Sequence, residues 1–535
     1  MYPEILTQLR LHRDDTEVVK VALAAIAALL PIGFYLWHRY AEPRADALAR
    51  RLHRGLKATL ALLVVASVAN YARLDPRYVF VERVDTYDLC HYYLNAKYFD
   101  ELGYFGLYPA IVLADMEEGP RYKRQTPYFQ AQNEDDYYFV DFGAFAQDAA
   151  WHGRIRAAFG EAGWLQFKHD FITLQRGMTG FSQSTWSQML VDHGFNGAPS
   201  WVLLAQPLAE AVPVEWVKAL GYLDVLWLAV AVGVTAWAFG GVTAQLLVVF
   251  LLTSYSTRWP TLSWAFGRYD YVSLLIIAVG LVKKGRYAWG GAAVGMSTAF
   301  RIFPAVWLWG PAFKGAWQLL VERRLNRRLV TLAAGFFGML LALNAGVAAR
   351  YGPEAVETHF ENLFAHTTPE NLSSMRQGFA IAVAYQGETD IKRMDDVRRL
   401  RVKEQARWRT PLAVFLVLLL GLGLRRAKDH EALAMGFVPF FLLATASYYY
   451  YVVRATLVAM HGGDLRKLRN ALGLSFLFAI EVTLNALQQH PATERFRVIH
   501  MGWLGWLCAA YSVGMIGWFL WESRKRPDTP DGGSA

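Results

Sequence analysis

Two carboxylates three apart, Asp85 and Asp88, are followed by His91 and Tyr92 in the stretch VDTYDLCHYYLNAKYFDELGYFGLY, Val84 to Tyr108. On a helix Asp88, His91 and Tyr92 stand at i, i+3 and i+4 and share one face. The stretch follows directly on an apolar run, so it starts at a membrane surface. A carboxylate among aromatic rings at such a mouth suits a base acting on a hydroxyl. The bland alternative is an interfacial belt, where tyrosine is common and needs no chemistry.

A second group of candidates is cationic. Arg301 is the one ionisable side chain in AAVGMSTAFRIFPAVWLWG, three residues before Pro304. Charges inside apolar runs are costly and rare, which marks each as a functional candidate. If the chain turns back at Arg301–Pro304, the guanidinium sits at the outer end of a helical hairpin. There its planar fork can grip a lipid phosphate; the alternative is a side chain snorkelling to headgroups. Arg454, behind four tyrosines in SYYYYVVRATLVAMH, is a candidate for the same phosphate, as is Arg268 in GRYDY beside Asp270. Asp192-His193-Gly194-Phe195-Asn196-Gly197 is a turn signal whose His193 and Asn196 are candidates for folding back over a cavity mouth. Glu481 and Asn485, at i and i+4, fit a buried hydrogen-bonded pair at least as well as a ligand site, and His461 reads as structural. WGGAAVG does not stand between strand and helix, so it is no nucleotide loop, and neither HExxH nor CxxC occurs. A divalent Mg or Mn ion bridging Asp85, Asp88 and a phosphate is compatible with these residues and required by none of them.

The elements that must carry these residues are membrane helices. Of 535 residues 54% are hydrophobic, and the mean hydropathy is +0.18. Apolar runs recur from Val19 to Trp521, as in an all-α polytopic membrane protein rather than several soluble domains. Nineteen Trp and 27 Tyr suit many interfacial helix ends. The net charge of +9 lies in short loops rather than in a nucleic-acid patch. Cys90 and Cys508 imply no disulfide framework, and the polar N-terminus does not read as a signal peptide.

Taken in order, residues 1–73 hold two spans (19–37 and 58–71) around the basic loop RYAEPRADALARRLHRGLK. Residues 74–218 form a polar extracytoplasmic region, with a loop at 119–136 and helical spacing from Asp141 to Gly177. Residues 219–521 form the bundle, with runs near 220–239, 242–255, 269–282, 287–300, 302–320, 329–348, 410–424, 432–447, 449–462, 470–487 and 499–521. An external loop at 351–410 interrupts it, and 379–385 dips without crossing. The tail 522–535 is disordered by composition. The basic loops at 283–286, 322–328, 425–428 and 464–469, and the tail, alternate onto one side. About 13 crossings result, with the C-terminus inside.

Three stretches resemble the GT-C superfamily of integral-membrane glycosyltransferases, and within it the bacterial branch that uses polyprenyl-phosphate mannose. DLCHYYLNAKYFDELGYFGLY is similar to that branch's external acidic stretch. FGRYDYVSLLIIAVGLVKKGRYAWGGAAVGMSTAFRIFP is similar to its long run ending in a basic residue before Pro, and PENLSSMRQGF to its external Asn-x-Ser segment. The resemblance implies a GT-C-like bundle in the bacterial inner membrane with its site on the outer side. It also implies a polyprenyl-phosphate sugar donor and a glycan or lipid hydroxyl acceptor. Asp88, or else Asp85, would be the catalytic acid, Arg301 the phosphate contact, and Asn371 and Ser373 neighbours of the site. Gly267-Arg268-Tyr269-Asp270 stands where the branch often has Gly-Gln-x-Asn, and Arg301 where it has Lys. The first span and residues 119–218 fall outside the match. The competing readings are a lipid or glycolipid flippase, which requires inverted repeats, and a non-catalytic scaffold.

Overall fold

The computed structural model describes residues 11, 13–75, 78, 84, 86–123, 128–132, 137–177, 181–191, 195, 197–257, 264–367, 376–388, 391–490 and 497–525. The protein is all-α, 82% helical, with two small two-stranded sheets.

Among the described residues seven helices are long and apolar enough to cross a membrane: Asp15–Arg44, Ala47–Tyr71, Val214–Phe239, Arg327–Tyr351, Asp396–Leu424, Leu468–Gln489 and Val498–Lys525. This makes the chain a multi-pass membrane protein. It also differs from the expected 13 crossings. The other apolar runs are helical but short: Gly241–Thr253, Asp270–Lys283, Tyr287–Phe300, and pairs of still shorter pieces from 303 to 320, 429 to 443 and 448 to 462. Fourteen residues rise about 20 Å, well short of a ~30 Å hydrocarbon core.

Burial separates the two classes. Asp270–Lys283 is buried almost all round, with Val272, Leu275, Ile276, Ala278 and Val279 inaccessible. A helix apolar on every face belongs inside other helices. By contrast Ala47–Tyr71 and Arg327–Tyr351 leave Leu62, Val65, Phe337 and Leu341 between 64% and 73% exposed, the surface a lipid phase covers.

Tyr287–Phe300 lies closely against Arg327–Tyr351. Small residues make this approach possible: a Cβ on Gly291 would meet the Leu332 carbonyl oxygen at 1.9 Å, and one on Gly335 the Ala288 oxygen at 2.0 Å. Gly291-x-x-x-Gly295 is thus a helix-packing face.

Two further expectations change. Tyr128–Gln132 pairs in antiparallel fashion with Tyr137–Asp141, so part of the loop expected at 119–136 is strand. The basic stretch before 410 is no loop but the first half of a 34-residue helix, Ile391–Leu424. Phe379–Ala384 is a short helix buried against Arg497–Lys525. The 142–177 region is helical as expected, interrupted at Gly160 (φ 67°), with Phe145, Trp164, Phe167 and Phe171 buried.

The basic loops meet at one end of the bundle. Arg466 donates to Glu42 (3.0 Å), Arg469 bridges Glu431 and Glu522 (2.7 Å each), and Lys314 reaches Asp429 (2.7 Å). Asp270–Lys283 runs toward this end and Tyr287–Phe300 returns from it, so Asp270 and Arg301 stand together at the far end.

Candidate functional site

The far end holds a cleft assembled from four parts of the chain. Asp88 and Tyr92 come from the helix Thr86–Lys97, whose opposite face buries Leu89, Cys90, Tyr93 and Leu94. That helix packs on Pro199–Ala211, and its end is tied down by Asp170, which accepts from Lys97 (2.6 Å) and Tyr98 (2.7 Å). Gly267 and Arg268 come from the turn before Asp270–Lys283. Asp224, fully buried in the span Val214–Phe239, holds that turn by accepting from the Ala265 and Tyr269 backbone nitrogens, both at 2.9 Å. Gly267 has φ +77°, and a Cβ there would lie 2.5 Å from the Trp201 indole nitrogen, so the turn requires glycine. Arg301 ends the helix Tyr287–Phe300, and Tyr449 and Tyr450 come from the turn 448–454. Together with Phe266 and Tyr271 these residues line a narrow cavity of about 60 Å³.

A larger groove of about 420 Å³ continues from it, sharing Arg301, Tyr449 and Tyr450. Phe300, Ile302, Phe303, Phe440 and Leu443 form its apolar walls, and Ile302 and Leu443 are 39% and 53% exposed at its rim. His359, Asn362 and Arg376 supply its polar side. Arg376–Gln377 pairs in antiparallel fashion with Ala446–Ser447, which brings the segment after 375 onto this wall.

Charge is distributed unevenly. Arg268 donates to Asp88. Among the described residues Arg301 forms no direct ion pair, although the charge of the buried Asp270 acts on it; its guanidinium donates to the carbonyls of Phe300 (3.1 Å) and Gly267 (3.4 Å) and stacks 5.5 Å from the Tyr92 ring. Among the described residues lining the two cavities, Asp88 is the one carboxylate. Burial pushes the Tyr92 phenol up to about 12, so it stays a neutral donor. Burial, and after it the Arg301 charge, pushes His359 down to about 4, so its ring is neutral near pH 7. His359 Nδ1 lies 3.1 Å from the Tyr104 hydroxyl.

The structure thus brings Asp88, Tyr92, Arg268 and Arg301 together. Asp270 lies just behind them, buried, its Oδ1 accepting from the Tyr271 nitrogen (2.6 Å). Two residues are elsewhere. His91 does not line the cleft; it bonds the Tyr108 hydroxyl at 2.6 Å and ties its helix to Leu107–Glu117. Arg454 is fully buried in an ion pair with Glu481 (2.9 Å) and lines neither cavity. Glu481 also accepts from the Tyr255 nitrogen (2.6 Å), while Asn485 donates to the Thr253 carbonyl (2.9 Å) rather than to Glu481. His461 lies between Asn470 and Tyr511. Asp85, His193, Asn196, Asn371 and Ser373 lie outside the described residues.

No family model, curated protein or solved structure matches this chain. Among the described residues no three His, Cys, Asp or Glu side chains gather as metal ligands. Sequence reasoning passed over Asp224, His359 and Arg376. Asp224 carried a usable signal, a lone carboxylate in the apolar run GYLDVLWLAVAVG. His359 and Arg376 carried none, because only the fold brings them to the groove.

Proposed function

We propose that the protein is an inverting glycosyltransferase that moves a sugar from a polyprenyl-phosphate donor to a hydroxyl acceptor. One observation carries the reading: an Arg301 guanidinium with no direct ion pair among the described residues joins a narrow cavity holding a carboxylate to a larger groove with apolar walls. A phosphate on Arg301 would have its isoprenoid chain along Phe300, Phe303, Phe440 and Leu443, and its sugar toward Asp88.

In this reading the acceptor hydroxyl attacks the anomeric carbon from the Asp88 side. The new carbon–oxygen bond forms as the bond to the phosphate oxygen breaks, and the hydroxyl proton passes to Asp88. Arg301 neutralises the charge that gathers on the departing phosphate. Arg268 holds the Asp88 carboxylate in position, and Tyr92 donates a hydrogen bond from the cleft wall. The hairpin of short helices supports a recessed site. It rises about 20 Å from the basic end, leaving the cleft about 10 Å beneath the opposite membrane face. Broken backbone at that depth is tolerated where it lines a cavity. With the basic loops in the cytoplasm, the cleft opens to the extracytoplasmic side of a bacterial inner membrane.

The test is transfer by purified protein in nanodiscs, read as acceptor-dependent release of polyprenyl phosphate. Asp88→Asn is expected to lower the rate by about 10²–10⁴-fold, the usual worth of a general base, with expression and insertion unchanged. Turnover within about threefold of wild type would exclude Asp88 and move the base to Asp85.

A further inference from the structure

A second charged cavity lies at the basic end of the bundle, remote from the cleft. It is an open-sided pocket of about 430 Å³ between the end of Asp270–Lys283, the starts of Tyr287–Phe300 and Arg327–Tyr351, and the segment from Arg426 to His430. Five cationic side chains line it, Lys283, Lys314, Arg328, Arg426 and Lys428, against a single carboxylate, Asp429.

That carboxylate is already engaged. Its Oδ1 accepts from Lys314 at 2.7 Å and its Oδ2 from the Tyr287 hydroxyl at 2.7 Å. Lys314, with a side chain only 6% exposed, is fixed further by the Ala427 carbonyl at 2.7 Å, and Arg426 donates to the Ser523 carbonyl at 2.7 Å. Lys283, Arg328 and Lys428 form no ion pair among the described residues. Partial burial, and after it the Lys428 charge, holds Lys283 below the ordinary lysine range. Like charges are therefore gathered around this space in excess of the acids beside it, Glu431 and Asp464 acting on Lys283 from outside the lining.

Positive-inside sorting accounts for basic loops, but not for a concave pocket with a buried lysine bonded at its base. We infer that this cavity binds a phosphate-bearing anion, with Lys314 and Tyr287 shaping its floor and Lys283, Arg328 and Lys428 contacting the phosphate oxygens. A phosphate offers several acceptor oxygens to such convergent donors. Trp289, two residues on from Tyr287, is 68% exposed and fits a membrane interface, which favours the headgroup of an acidic lipid over a soluble phosphate.

The experiment uses the full-length protein in nanodiscs of phosphatidylcholine alone or with phosphatidylglycerol, each with and without inorganic pyrophosphate, and reads the melting temperature. A lipid site is expected to raise melting in the phosphatidylglycerol discs with little further effect of pyrophosphate. Stabilisation by pyrophosphate in neutral discs would support the same cavity with a soluble ligand. The double variant Arg328→Gln/Lys428→Gln changes two exposed side chains and should fold normally. It is expected to weaken anion binding about tenfold or more, the worth of at least one charge-assisted bond. Replacing the exposed cations Arg323 and Arg324, which do not line the cavity, is the control for general surface charge. If neither anion shifts the melting, or if the shift survives the cavity variant or falls equally in the control, the inference is overturned.

Discussion

Replacing Arg301 separates a phosphate-binding arginine from a membrane anchor. In the free protein this guanidinium makes two bonds to neutral carbonyls, at 3.1 and 3.4 Å, and one stacking contact with Tyr92 at 5.5 Å. Such contacts are together worth about 1–2 kcal/mol, so Arg301→Gln should melt within a few degrees of wild type. Toward a bound phosphate the same fork supplies two charge-assisted bonds at about 1.5–3 kcal/mol each. With the lower half of that range applied for a partly open cleft, about 3–4 kcal/mol is lost, or about 10²–10³-fold in kcat/KM. Arg301→Lys keeps the charge without the fork, and about a tenfold loss is expected. The assay is a set of initial rates for purified protein in nanodiscs, with the donor varied at fixed acceptor and then the reverse. The loss should fall on the donor series, because the acceptor enters from the Asp88 side. A donor series for Arg301→Gln within about threefold of wild type would refute the assignment and leave the cation as an anchor. The phosphate would then have to be sought at Arg268 or Arg376.

Two other outcomes follow from the geometry. Glu481→Gln strands the fully buried Arg454 without its counter-ion and should cost about 3–5 kcal/mol, seen as lower melting and poor recovery; an Arg454→Met/Glu481→Leu double variant should melt higher than either single change, and additive losses would argue against the pairing. His359 is held near 4 in the folded protein against an unfolded value near 6.5. Its contribution is therefore complete above about pH 6.5 and is lost as pH falls toward 4, by up to about 3 kcal/mol. Melting temperatures over that range should fall more steeply for wild type than for His359→Gln, and parallel curves would exclude the effect.

Periodicity and hydropathy are local properties, and what they encode survived folding. The long runs in Val214–Phe239, Arg327–Tyr351 and Leu468–Gln489 became long apolar helices, and the basic loops converged on one end. The i, i+4 spacing of Asp88 and Tyr92 put both side chains on one cleft wall, although His91 at i+3 turned toward Tyr108. Hydropathy alone cannot separate a helix facing lipid from one enclosed by other helices, since both read as unbroken apolar runs. For that reason hydropathy reads Asp270–Lys283 and its short neighbours as crossings. Only the tertiary structure decided that Asp88 meets Arg268, 180 residues away, that Asp224 clamps the turn carrying Arg268, and that Arg454 is neutralised by Glu481 away from the cleft that Arg268 and Arg301 line. These are contacts between distant charges. Which cation finds a carboxylate depends on how whole helices pack, and no window of neighbouring residues carries that information.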